Sequence, residues 1–195
     1  MSRTAILFVV IAGLVLVGAC APKQEADAPE PEVEVETEME VEEEVAMVAM
    51  ATLAPRADGT ASGTITFTEG DGDVLIEAEI TGAPAGVHGF HIHDQGDCSS
   101  EDFKSAGGHF NPGETPHGGP TDSIRHGGDL GNIEIADDGT GTLTLSSEQL
   151  TVGDGDNSVV GRGVILHEGE DDLVSQPTGA AGARLACGVV SLVEE

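Results

Sequence analysis

The chain has no tryptophan and no tyrosine, and only five phenylalanines. A large aromatic ligand pocket is therefore excluded, and any core must be built from small and aliphatic side chains. Positive charge is nearly as scarce. Seven Lys and Arg stand against 36 Asp and Glu, a formal net charge of −29. Nucleic-acid binding needs Lys and Arg on the phosphates, so that class of partner is excluded. Such acidity favours solubility and attracts cations; adaptation to salt accounts for it equally well. Long apolar runs are missing apart from Ala5 to Leu16, which is too short for an ordinary spanning helix. No stretch sustains a helical period, although Ser146–Leu150 could make one turn.

What is present begins with a processing signal. Arg3 precedes the apolar run, which ends in Val17-Gly18-Ala19-Cys20. Small residues before a cysteine at this point resemble a bacterial lipoprotein signal. That resemblance implies that residues 1–19 are removed and that Cys20 is lipidated as the first mature residue, a membrane anchor. A plain secretory signal with an incidental cysteine is the alternative. Residues 20–44 read as an acidic, self-repelling linker, with eleven acids against Lys23 and with Pro22, Pro29 and Pro31 breaking any helix. Metal scavenging by this run stays open. With Cys20 spent, Cys98 and Cys187 remain as a pair for an oxidising, extracytoplasmic compartment. A bridge across those 89 positions constrains the unfolded chain by about 4.5 kcal/mol in the chain-entropy model.

Residues 45–195 read as one β-domain. Short alternating segments are separated by turn residues: Val45–Leu53, Gly63–Thr68, Val74–Ile80, Val87–His93, Ile133–Ile135, Gly141–Leu145, Val159–Leu166 and Gly188–Val193. The fold class expected is all-β, an eight-stranded Greek-key sandwich or flattened barrel with two long functional loops. Those loops are Asp94–Gly131 and Glu168–Ala183. Loops of this length need a source of order other than apolar contacts, and a metal would supply it.

Histidine carries the chemistry. His91 and His93 lie two apart in a strand, so both imidazoles project to one side and suit one metal. His109, His117, His126 and Asp129 lie in the first long loop. Three imidazoles and a carboxylate make a closed tetrahedral set suited to structural Zn²⁺. His167 opens the second loop; with His91, His93 and a shared His109 it makes a four-nitrogen set suited to Cu(II). Six of the seven histidines, with one aspartate, are thus expected to hold two metals.

Six ordered motifs carry a resemblance: Gly89-Phe90-His91-Ile92-His93, Gly108-His109-Phe110-Asn111-Pro112, His117-Gly118-Gly119-Pro120, Arg125-His126-Gly127-Gly128-Asp129-Leu130-Gly131-Asn132, His167-Glu168-Gly169-Glu170-Asp171-Asp172-Leu173 and Gly182-Ala183-Arg184-Leu185-Ala186-Cys187-Gly188. Together, from about Val45 to Val193, they resemble the successive signatures of copper/zinc superoxide dismutases. The resemblance implies copper on His91, His93, His109 and His167, and zinc on His109, His117, His126 and Asp129, with His109 bridging. It implies that Asp171 orients one histidine on each metal, that Arg184 attracts and positions the anion, and that Cys98 and Cys187 are disulfide-bonded. His88 matches a structural position, hydrogen-bonded to backbone. The implied activity is disproportionation of superoxide to dioxygen and hydrogen peroxide, protecting the cell envelope from the periplasmic side.

The segment between Leu173 and Arg184 departs from the family's eukaryotic members, which have a longer, charged loop; this sequence resembles the bacterial branch. Without that loop Arg184 must act locally, with Lys104 or Arg125 as helpers. Two rival readings remain, a copper-buffering lipoprotein and an adhesion module. The sequence leaves a homodimer open.

Overall fold

The computed structural model describes residues 46–194. The signal at 1–19, the lipidation site Cys20 and the linker at 20–44 lie outside the described residues. Nine strands follow in order: β1 Val48–Pro55, β2 Ser62–Glu69, β3 Val74–Thr81, β4 Gly86–His93, β5 Asp129–Ile135, β6 Gly141–Ser147, β7 Gly163–His167, β8 Arg184–Val189 and β9 Ser191–Leu192. The described residues hold no α-helix, only one 3-10 turn at Lys104–Ala106. No helix among them is long and apolar enough to cross a membrane.

All strand pairs are antiparallel, in the order β5-β4-β7-β8-β1-β2-β3-β6. The sheet curls until it is nearly a closed barrel. The connections from β3 to β4 and from β6 to β7 skip neighbours, which gives the Greek-key path. β9 continues β8: Ala54 pairs with Cys187 and Ala49 with Leu192 in one unbroken register along β1. The ladder along β1 is interrupted at residues 188–190, where Val190 bonds instead to the Gly161–Arg162 turn. The expected eight strands are therefore found, the eighth with a break.

Alternation puts the core inside. Along β3, Val74, Ile76, Ala78 and Ile80 are buried while Leu75, Glu77, Glu79 and Thr81 are exposed. Phe67, Phe90 and Phe110 pack with aliphatic side chains in one cluster. At about 25 cal/mol per Å² of apolar area removed from water, this burial supplies the main driving force. β4 departs from the alternation, because Gly89 to His93 are buried on both faces. Phe90 and Ile92 join the core. His91 and His93 take the opposite face, which the two long loops cover.

Several boundaries differ from expectation. The seventh strand starts at Gly163, not Val159, because Gly161 turns the chain at φ +79°. The eighth starts at Arg184, not Gly188, and β5 begins at Asp129. Ser146–Leu150 forms no helical turn; Ser146 and Ser147 extend β6. Phe110 and Gly128 fold the first loop back on β4 through backbone bonds with Ile92 of 2.8 and 2.9 Å. Only glycine fits at 128, since a Cβ there would overlap the Ile92 carbonyl.

Candidate metal centre

Four elements bring the histidines together. His91 and His93 stand on the loop-covered face of β4, and a register shift lies between Gly89 and His91. His109, inside the first loop, forms an isolated bridge with His93 at the end of β4. His167 closes β7, where the register against β8 also shifts. Asp129 opens β5. Ligand atoms of His91, His93, His109 and His167 lie within 4.8 Å of one another, and so do those of His109, His117, His126 and Asp129. All seven residues are buried.

The first set is made of nitrogens. His93 Nε2 and His167 Nε2 face each other at 3.3 Å. His91 Nδ1 and His109 Nε2 are buried without a hydrogen-bond partner. Buried polar atoms are nearly always paired, so two orphans on facing rings need an explanation. A cation held by ring lone pairs supplies one. Burial, reinforced by the neighbouring His109, pushes His91 and His93 well below the ordinary histidine range. Burial likewise lowers His167 to about 4 and lowers His109 against the pull of Asp129. The rings are neutral at pH 7, as metal ligands must be.

The second set converges on one oxygen. His109 Nδ1, His117 Nδ1 and His126 Nδ1 lie 2.7, 3.0 and 3.1 Å from Asp129 Oδ1. The His117 approach lacks hydrogen-bond geometry, leaving that nitrogen unpartnered. Three ring nitrogens around a single carboxylate oxygen exceed its two lone pairs, and the donor set fits a tetrahedral N₃O cation site. Asp129 Oδ2 is occupied otherwise: it accepts the N–H groups of His126 at 2.8 Å and Gly118 at 3.1 Å. Burial would raise the Asp129 carboxyl, but bonds from His109 and the Gly118 N–H outweigh it and hold the group well below the carboxylate range. Burial also opposes protonation of His117; the charges of Asp129 and Asp171 prevail and raise it.

Asp171 joins the sets. Its Oδ2 lies 2.8 Å from His91 Nε2 and its Oδ1 3.0 Å from His117 Nε2. Such outer carboxylates fix ring orientation and tautomer. Two residues that the sequence reading gave no role hold this framework. Asn132 on β5 accepts the Asp171 N–H at 2.8 Å and donates to its carbonyl at 2.9 Å. Gln176 clasps the His117 backbone reciprocally, both bonds 2.9 Å. Asn132 lies in one of the six motifs that carry the resemblance; nothing in the sequence marks Gln176. His88 lies where the sequence reading put it, its ring nitrogens 2.9 Å from the carbonyl oxygens of His167 and Pro84.

Beside the first set, Arg184 donates through Nη1 to Phe103 O at 2.5 Å and through Nη2 to Gly107 O at 2.6 Å. Gly107 O also lies 3.0 Å from His93 Nδ1, so one carbonyl positions both side chains. Cys98 and Cys187 are disulfide-bonded with Cα atoms 5.8 Å apart. That bridge ties the Phe103–Gly107 segment to β8. Arg184 and His167 both line an open cleft of about 440 Å³, together with Arg56, Asp102, Lys104 and Thr178. Lys104 is thus beside the site, whereas Arg125 lines a different hollow.

Comparison with known proteins bears on the site. A family model described as copper/zinc superoxide dismutase (SODC) matches residues 61–190. A solved structure reported as the crystal structure analysis of the clock protein EA4 is 40% identical, with a TM-score of 0.69. That match covers 76% of this chain and 96% of the other.

Proposed function

Because the chain belongs to the copper/zinc superoxide dismutase family, we propose that it disproportionates superoxide to dioxygen and hydrogen peroxide at a paired copper and zinc site. A scaffold hosts more than one role, as a neighbour named for a clock illustrates, so the site must carry the activity. The observation that carries it is the pair of adjoining donor sets sharing His109. His91, His93, His109 and His167 would hold copper. His109, His117, His126 and Asp129 would hold zinc.

Copper, when bound, supplies the one-electron exchange that oxidises one superoxide and reduces the next. The chain's own residues do the rest. Asp171 and the Gly107 carbonyl orient His91 and His93. His109 has Nδ1 committed to the Asp129 side, while Nε2, without a protein partner, can hold and release a proton. Peroxide formation consumes protons, and that nitrogen sits in the first set where one is needed. Arg184, pinned by two carbonyls, presents a fixed positive charge to an anion entering the cleft.

The reading extends to location. Residues 1–19 serve as a lipoprotein signal, Cys20 carries the lipid, residues 20–44 form the spacer, and the domain at 45–195 protects the cell envelope from its periplasmic side. The small residues before Cys20 support the anchor. The disulfide supports an oxidising compartment. Mass spectrometry of the mature protein should find lipid on Cys20; an unmodified N-terminus beyond Cys20 contradicts the anchor.

The activity is tested at His167, which belongs to the first donor set alone. In His167→Ala, superoxide consumption should fall by about a hundredfold or more, given that even outer partners of a metal site carry 10–100-fold effects. Zinc content should not change. Retained turnover in this variant contradicts the copper assignment.

A further inference from the structure

The described residues hold five Lys and Arg: Arg56, Lys104, Arg125, Arg162 and Arg184. Three of them, Arg56, Lys104 and Arg184, line a cleft that His167 also lines. Arg162 instead stacks over Phe110 at 4.2 Å, and Arg125 borders the Gln149 hollow. In so acidic a chain, this gathering of the few cations calls for a cause.

Arg56 is placed by the fold, not by chance of a flexible side chain. It follows the last residue of β1, and its N–H donates to Leu185 O at 2.9 Å, next in sequence to Arg184. The Ala57–Gly59 turn then brings Asp58 back onto the guanidinium, with Nε to Oδ1 at 2.7 Å and Nη2 to Oδ2 at 3.3 Å. An exposed pair of this kind adds little stability. What it does is aim the guanidinium. Arg56 stays about a third exposed (33%) at the cleft, while Arg184 lies deeper, half-buried.

We propose that Arg56 is a positioning residue for the anion, an outer positive station that captures superoxide from solvent and delivers it to Arg184. The role in superoxide turnover rests on the dismutase reading; the capture of small monoanions does not. Acids face this path too. Asp58 grips Arg56, Asp102 pairs with Lys104 at 2.7 Å, and Glu168 adds its charge near Arg56. Asp58 therefore aims Arg56 and also cancels part of its field.

The test uses the copper- and zinc-loaded full chain, with azide as the probe anion and its association rate followed by stopped-flow absorbance. At about 0.01 M ionic strength, where the screening length is about 30 Å, Arg56→Gln should slow azide association about threefold. At about 1 M, where it is about 3 Å, the difference should vanish. Arg56→Lys should restore the rate, and Asp58→Asn should raise it. Superoxide kcat/KM should follow the same pattern at equal metal content. An azide rate in Arg56→Gln equal to wild type at low salt overturns the proposal. So does a slowing that persists at high salt or that Lys does not rescue, since either marks a structural defect. If the wild-type protein consumes no superoxide, the dismutase reading fails, while the azide rates still decide the role of Arg56.

Discussion

Burial decides the protonation of single side chains here, and that has a pH consequence. His167 drops from its ordinary 6.5 to about 4 in the folded chain, and burial lowers His91 and His93 well below that ordinary value too. The unfolded chain therefore binds more protons than the folded one between these values. On account of these three groups, stability of the metal-free protein should fall as pH drops from about 6.5 toward 4. The lowered Asp129 adds to the loss on further acidification. His117, raised by its carboxylates, acts in a different window: its contribution is complete below about pH 6.5 and is lost as pH rises through its raised value. Thermal unfolding of metal-free protein at pH 7 and pH 4.5 checks this: the expected outcome is a lower Tm at pH 4.5, and equal values contradict it. At this scale the sequence was informative where chemistry is rare. Seven histidines in an aromatic-poor chain stand out, and the structure gathers six of them. Asn132 and Gln176 did not stand out, because an amide that grips backbone looks like any loop residue until the chain is folded.

The elements divide into strands that pattern reveals and loops that it does not. β3 reads plainly because every second residue is apolar. β4 reads only in part, since its second buried face is lined by imidazoles under the loops rather than by solvent. The breaks at Gly161 and Val190 depend on bonds between distant segments, so local alternation ran through them. The loop at 168–183 shows how tightly such a segment can be specified. Gly179 sits at φ +65°, and a Cβ there would overlap Asp171 Oδ1 and come within 2.7 Å of His117 Nε2. Gly179→Ala should displace the carboxylate that orients a histidine in each set. Zinc and copper affinities are expected to fall about 10–100-fold, as measured by chelator competition. Wild-type affinities would show that Asp171 does not hold the two sets together.

Over the whole molecule the difficulty is charge. Beyond residue 44 the chain keeps 25 acids against five Lys and Arg, so its far field repels the anion it is proposed to consume. The cleft answers locally with three of those five cations. Arg184→Ala should lower kcat/KM by about tenfold or more and flatten its dependence on salt, because steering of this kind is screened within a Debye length. A variant with the wild-type salt profile contradicts local steering by Arg184.

The most direct measurement pairs metal content with turnover. Purified mature protein should hold one copper and one zinc and consume superoxide. Selective removal of copper should abolish that consumption, and added Cu(II) should restore it while zinc stays in place. Metal bound at both sets without superoxide turnover would contradict the account and favour a copper-buffering protein on the same fold.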